Sequence, residues 1–368
     1  MDGPEPPLAL NGLKKAARRL SRPVRFGRGA PDTAILPYRG YGTAQRFHVT
    51  GRVFRQPTFG AHLPRDARRW YLDLLRRFLR RGLGDRELVA TCLGTERRIR
   101  TDRYGYFDLQ LNPARQPPAD RLWHRVDVTL IEDGRPRHSA YAEVYVPPPA
   151  SRFVVISDID DTVVLTGVGN ALAMMWRMFV QNARARTAFP GVSALYRGLH
   201  GRARNPILYV SRGPWSLYEV LGEFFEINDI PVGPILFLRD WGLTLQHPLP
   251  RRARDHKLAL IRQMLQVYDH LPVLLIGDSG QHDPEMYARI VAEHPGRVMA
   301  VYIRDVSRSA ERDAEMAELS AALDAAGSGL VVAQDSLTFA RHAAASGWLS
   351  ADALREVAAD AAARAAPG

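Results

Sequence analysis

Three apolar runs in this 368-residue sequence each end in a polar cluster. FVVIS is followed by Asp158-Ile159-Asp160-Asp161-Thr162, PILYV by Ser211-Arg212-Gly213-Pro214, and PVLLIG by Asp278, with Asp283 five residues further on. Lys257 opens the helical stretch before the third run. These residue types suit phosphoryl transfer. A carboxylate can attack phosphorus to give an aspartyl-phosphate. A second carboxylate two residues along can protonate the leaving group and then activate water. Several carboxylates gathered together repel one another unless a cation neutralises them, and Mg2+, which prefers oxygen ligands, suits that task. A hydroxyl and a backbone N–H at the second run can hold phosphate oxygens, and a lysine can offset the charge that develops. Each element alone has a bland reading as a solvated turn or a helix N-cap. The ordered set of four is far harder to reach by chance.

Composition sharpens the case for Lys257. Of 50 basic residues only Lys14, Lys15 and Lys257 are lysine, and the rest are arginine. A generic surface charge in this chain is an arginine, so the one lysine outside the N-terminal region invites a chemical reason, since a compact ammonium is not interchangeable with a planar guanidinium. Net charge is +11 and the pI about 10.1, which draws the chain toward polyanions such as nucleic acid, anionic lipid or phosphorylated ligands. The single cysteine, Cys92, excludes an intrachain disulfide framework and a cysteine-based zinc site. No apolar run approaches the ~20 residues needed to span a bilayer. No compact apolar stretch followed by small residues marks a signal peptide, so the expected location is the cytoplasm, with peripheral contact to a membrane as an extension of that reading.

The elements that must position these residues follow from periodicity. FVVIS, PILYVS, PILFL, PVLLIGDS and VMAVYI are apolar on both faces and alternate with helical stretches, and GLVVAQD adds a possible last strand. That pattern predicts an α/β domain over 151–345, a doubly wound parallel sheet with its chemistry just beyond the strands' C-terminal ends. Residues 346–368 form an Ala-rich helical tail. Residues 46–150 carry short β-branched and aromatic runs between Gly, Pro and Asp turns, which predicts a smaller β-sandwich-like domain. One helix is predicted inside it over 65–82, with Arg76, Arg77, Arg80 and Arg81 on its basic face. That face is either solvated or in contact with a polyanion. Residues 1–45 read as a basic extension, either disordered or a surface-binding amphipathic helix. Pro147-Pro148-Pro149 is a stiff linker.

Over about residues 150–306 the ordered set resembles the haloacid-dehalogenase-like superfamily. FVVISDIDDTVVLTGV, YVSRGPW, HK, LIGDSGQHDPEMY and VYIRDV are similar to the actin-patch-associated phosphatidate phosphatase family and its bacterial relatives. The resemblance implies Asp158 as nucleophile and Asp160 as general acid/base, with Thr162 supporting the loop. It implies Ser211 with Arg212 and Gly213 at the phosphate, and Lys257 as the charge-stabilising cation. It implies Mg2+ held by Asp158, Asp160, Asp278 and Asp283, with Asp160 contributing its backbone carbonyl and Asp283 acting as ligand or neighbour. Asp161 receives no role. Arg212, which stands where many relatives have a hydroxyl residue, and His282 are candidate substrate contacts.

The 27 residues between Thr162 and Pro190 are too few for a folded cap domain and suit a single helix or flap. Met174, Met175, Trp176, Met178 and Phe179 make that stretch apolar, which fits either packing or acyl chains. Three functions remain open on this reading: a phosphatidate phosphatase at a membrane surface, a phosphatase of a soluble, protein or nucleic-acid phosphomonoester, and a non-catalytic polyanion-binding module. No dedicated nucleic-acid motif is present, and the filled set of charged positions disfavours the third.

Overall fold

The computed structural model describes residues 33–55, 80–159, 162–163, 188–201, 204–211, 215–237, 253–280, 282–306 and 310–365. Asp160, Asp161, Arg212 and Gly213 lie outside the described residues, as do the stretch 164–187 and most of the helix predicted over 65–82. The chain divides into two compact units: Met1–Pro37 with His48–Arg115 and Arg125–Glu143, and Tyr38–Phe47 with Gln116–His124 and Val144–Gly368.

Strands β1 (Thr33–Pro37), β2 (Gly40–Gly42), β3 (Phe47–Arg55), β4 (Arg81–Gly82), β5 (Glu87–Cys92), β6 (Thr95–Arg100), β7 (Tyr106–Leu111), β8 (Trp123–Glu132) and β9 (Arg135–Tyr145) belong to a nine-stranded sheet. It is mixed. β1 with β3, β3 with β4, and β5 with both β6 and β8 are antiparallel, whereas β2 runs parallel to β9. Alternation is clean in β8, where His124, Val126, Val128 and Leu130 are buried and their neighbours are less so, as the two-residue period of a strand requires. The turn expected near Tyr104-Gly105 is present. Gly105 has φ +83°, and Asp102 Oδ1 accepts hydrogen bonds from the Tyr104 and Tyr106 amides, both at 2.8 Å. Cys92 is buried, and burial together with Asp127 pushes its thiol up to about 11, so it offers no thiolate at neutral pH.

Two sequence boundaries need correcting. Residues 33–42 are not part of an extension. TAILP pairs with Gly51–Arg55 of β3, a partner that local pattern does not name. The predicted helix also cannot run to residue 82, because Arg81 and Gly82 pair with Arg55 and Phe54 as β4. Gly82 packs so closely on Tyr104 that a Cβ would lie 1.8 Å from its carbonyl oxygen, so this glycine serves a close strand approach rather than a helix stop.

The second unit carries a six-stranded parallel sheet: β10 (Val154–Asp158), β11 (Ile207–Ser211), β12 (Ile235–Phe237), β13 (Val273–Asp278), β14 (Val298–Arg304) and β15 (Gly329–Ala333), in the order β12-β11-β10-β13-β14-β15. All five β10 residues are buried, as in a strand covered on both faces. Val154 and Ile156 join a core with Leu258, Ile261, Met264 and Leu265 of α3 (Ala253–Val267) and Tyr287, Ile290 and Val291 of α4 (Asp283–Glu293). Ser157 points the other way and meets Tyr196 of α1 (Val192–His200).

Helices α2 (Tyr218–Ile227), α5 (Ala310–Ala325), α6 (Ser336–Ala345) and α7 (Ala351–Ala365) are also present among the described residues of the unit. α7 is no loose tail. Val357 is fully buried, Asp360 accepts the Gly191 N–H at 3.1 Å, and Glu356 pairs with Arg197 of α1. No helix among the described residues is long and apolar enough to cross a membrane.

Candidate active site

Strand order and register decide which polar ends meet. The chain leaves β10 for β11 and β12 on one side, then returns to β13 on the other, so the sheet's topological switch point lies between β10 and β13. Such a point leaves a crevice beyond the carboxyl ends of the strands. Asp158 pairs with Val210, which puts Ser211 one residue further along the neighbouring strand. On the other side Ser157 pairs with Ile276, so Asp278 also lies just beyond Asp158's level. The three clusters singled out in the sequence therefore share one edge of the sheet.

Asp158, Asp278, Asp283, Ser211 and Lys257 are fully buried, and Thr162 nearly so. Lys257 Nζ donates to Asp158 Oδ1 at 2.7 Å and to Asp283 Oδ1 at 2.5 Å. Burial by itself would lower the Lys257 pKa, but the Asp158 and Asp283 carboxylates outweigh it and hold the ammonium above its ordinary range. One carboxylate oxygen from each of Asp158, Asp278 and Asp283 falls within 4.8 Å of the others. At an effective dielectric of about 20 each such pair repels by roughly 3 kcal/mol. One ammonium against three carboxylates leaves two negative charges, which a divalent cation would balance. The donors are all oxygen, so the set fits a hard cation and not a thiolate-preferring one. This acidic triad could hold a metal.

The neighbouring residues are arranged around that set. Asp283 begins α4 next to Pro284, and its Oδ2 accepts the Asp278 N–H at 3.4 Å. Gly277 makes room for it. A Cβ at 277 would stand 2.5 Å from Asp283 Oδ2 and 2.8 Å from the Tyr287 ring. Tyr287 in turn donates to the Ile276 carbonyl at 3.0 Å, and its ring lies 5.8 Å from the Lys257 ammonium. Ser157 Oγ donates to the Asp158 carbonyl at 2.7 Å and is itself 2.5 Å from the Tyr196 hydroxyl, which fixes the strand end before the acidic loop. Gly277→Ala is expected to cost about 1–3 kcal/mol through overpacking. It should also displace Asp283, so thermal denaturation should show a lower midpoint and any Mg2+-linked rise in that midpoint should shrink.

His282 is half exposed at the start of α4, so it borders the site from outside. Of the catalytic, phosphate and metal residues expected from the sequence, Asp158, Thr162, Ser211, Lys257, Asp278 and Asp283 are described, and all six are buried. Arg304, to which no role was assigned from the sequence, is buried as well. Its Nε donates to the Thr162 carbonyl at 3.2 Å. An arginine that closes an otherwise apolar strand, VYIR, was the available sign, but it was hidden among so many other arginines.

A buried lysine among three carboxylates thus lies at the switch point of a parallel α/β sheet. Residues 153–305 match the family described as phosphatidate phosphatase APP1, catalytic domain. These residues, under half of the chain, are thus similar to the catalytic domain of that family. Phosphatidate phosphatase APP1 of Saccharomyces cerevisiae is 30% identical over 214 residues, 57% of this chain and 35% of that protein. An uncharacterised protein of Schizosaccharomyces pombe is 30% identical over 152 residues, 41% of this chain and 25% of that one. The match thus spans about a third or less of these relatives. Among solved structures, a carbohydrate acetylesterase from Xanthomonas citri overlaps 80% of this chain and 66% of its own at 12% identity and a TM-score of 0.27, too low to bear on fold or function.

Proposed function

We propose that this chain is a Mg2+-dependent phosphatase that hydrolyses a phosphomonoester through an aspartyl-phosphate on Asp158, and that its substrate is phosphatidate or a similar lipid at an anionic membrane surface. The observation that carries this reading is the buried set at the C-terminal strand ends, in which Lys257 bridges Asp158 and Asp283 beside Asp278. On this reading the order and spacing of the set correspond to the haloacid-dehalogenase-like signature that the sequence resembles.

Asp158 attacks phosphorus while the bond to the leaving oxygen breaks, and Asp160 gives that oxygen its proton. Asp160 then takes a proton from water as the water attacks the phosphorus, which frees Asp158 and releases phosphate. Lys257 offsets charge on Asp158 and on the transferring group. Ser211, with Arg212 and Gly213, receives the phosphate oxygens, and Thr162 supports the loop. Asp158, Asp278, Asp283 and the Asp160 carbonyl would hold Mg2+, which would neutralise the phosphate and the nucleophile in the bound state.

The lipid assignment rests on the similarity of residues 153–305 to the catalytic domain of phosphatidate phosphatase APP1, on the +11 net charge and on the apolar stretch around Met174–Phe179 close in sequence to the acidic loop. Phosphate release should be measured from phosphatidate in mixed vesicles, lysophosphatidate, sugar phosphates, nucleotides and an aryl phosphate. Phosphatidate is expected to be turned over most efficiently. A preference for a water-soluble phosphate would keep the chemistry and remove the lipid, and no release from any of them would remove the function. Asp278→Ala is expected to raise the Mg2+ requirement about 10- to 100-fold or to abolish activity. Full activity after exhaustive chelation would point to a centre without a metal.

A further inference from the structure

Arg304 stands where the two acidic loops come together. Its backbone pairs with Asp278 across β13 and β14, and its carbonyl accepts the Ser279 N–H at 2.9 Å. Its side chain reaches back to the other loop, where Nε donates to the Thr162 carbonyl at 3.2 Å. The rest of the guanidinium is spent on the segment after the family-matched residues. One terminal nitrogen donates to the Gln334 carbonyl and the other to Ser336 Oγ, both at 2.9 Å. The guanidinium also lies 4.1 Å from the centre of the Phe189 ring and 5.7 Å from that of Phe339. Only 2% of the residue is exposed, and the groups that accept from its side chain, the Thr162 and Gln334 carbonyls and Ser336 Oγ, are uncharged. A buried guanidinium that satisfies neutral carbonyls is costly to keep for stability alone, and its planar fork serves several directions at once as an ammonium cannot.

We propose that Arg304 is a positioning residue that locks the loop after Asp158 to the loop after Asp278, and that the C-terminal segment around Gln334 and Ser336 is the anchor from which it does so. The proposal rests on the phosphatase reading for its kinetic consequence but not for the coupling itself. Thr162 lies four residues from Asp158 and Ser279 one from Asp278, so loosening either contact changes the separation of the carboxylates. The last two helices of the second unit then act on the centre without touching it. Asp335 caps α6 by accepting the Thr338 N–H at 2.8 Å, which fixes the turn bearing Gln334 and Ser336.

The test uses the full chain with Arg304→Lys and the milder Ser336→Ala, which removes one acceptor at a distance from the carboxylates. Two quantities are read: kinetics on an aryl phosphate, and the Mg2+ concentration that half-saturates the rise in thermal midpoint, which needs no turnover. Arg304→Lys is expected to lower kcat about 10- to 100-fold, with KM changed less than about threefold, and to raise the Mg2+ midpoint about tenfold. Ser336→Ala should shift both in the same direction by less. If Arg304→Lys fails to fold, Ser336→Ala decides. Variants that melt lower but keep the wild-type kcat and Mg2+ midpoint would reduce Arg304 to a packing residue and overturn the proposal. A wild-type chain that responds to Mg2+ yet hydrolyses nothing would sink the phosphatase reading while leaving the loop coupling measurable.

Discussion

Asp158→Asn is expected to abolish phosphate release while the protein stays folded. The carboxamide matches the carboxylate in shape, so β10 and its register should persist, and the residue is central enough that a change of size would be felt. What is lost is the nucleophile, because an amide oxygen does not form the acyl phosphate. Relief of repulsion among the three carboxylates opposes loss of the contact with Lys257, so the thermal midpoint should move by only a few degrees. Residual activity above about a tenth of wild type would mean that another group attacks phosphorus, whereas subtilisin-like unit behaviour of a catalytic set predicts losses of several orders of magnitude.

The second large effect concerns Lys257. Replacing it with methionine leaves Asp158 and Asp283 buried without their shared cation, and breaking a buried ion pair from one side costs on the order of 3–5 kcal/mol. Its raised pKa gives the sign of the pH dependence. The stabilisation is fully present below the unfolded-state value of about 10.4 and fades only as pH rises through the higher folded value. The wild-type minus Lys257→Met difference in stability should therefore be flat from neutrality to pH ~10. Lys257→Arg is the sharper kinetic variant. It keeps the charge, but the larger guanidinium must displace carboxylates now 2.7 Å and 2.5 Å from the ammonium, and a shift of about 1 Å can cost on the order of a hundredfold in rate. Near-wild-type kcat in Lys257→Arg would take the lysine out of the chemistry.

Lys257 also shows how far sequence reading reaches. Its rarity singled it out, and the structure places it against Asp158, 99 residues away, because α3 packs beside β10 and β13. All six strands of the parallel sheet were visible as short apolar runs, since a strand buried on both faces needs no partner to reveal its character. The site residues were legible for the same reason, as polar residues that end such runs stand out. What depends on distant pairing was not legible. TAILP looks like loop until β3 is beside it, and Gly82 looks like a helix stop until Tyr104 packs on it. The C-terminal helix was legible as a helix but not as a support, because its contacts are Asp360 to Gly191 and Glu356 to Arg197, and nothing in an Ala-rich pattern names those partners. Arg304 escaped because a buried arginine and a surface arginine are the same letter.

Borohydride trapping addresses the nucleophile most directly. Protein turning over an aryl phosphate in Mg2+ is acid-quenched and reduced, which converts an aspartyl-phosphate to homoserine, and the peptide spanning FVVISDIDDT is sequenced by mass spectrometry. Homoserine at position 158, dependent on substrate and absent from Asp158→Asn, is the expected result. Active turnover that leaves Asp158 unreduced, or that places homoserine at Asp278 or Asp283 instead, would contradict the assignment of Asp158 as the residue that carries the phosphoryl group.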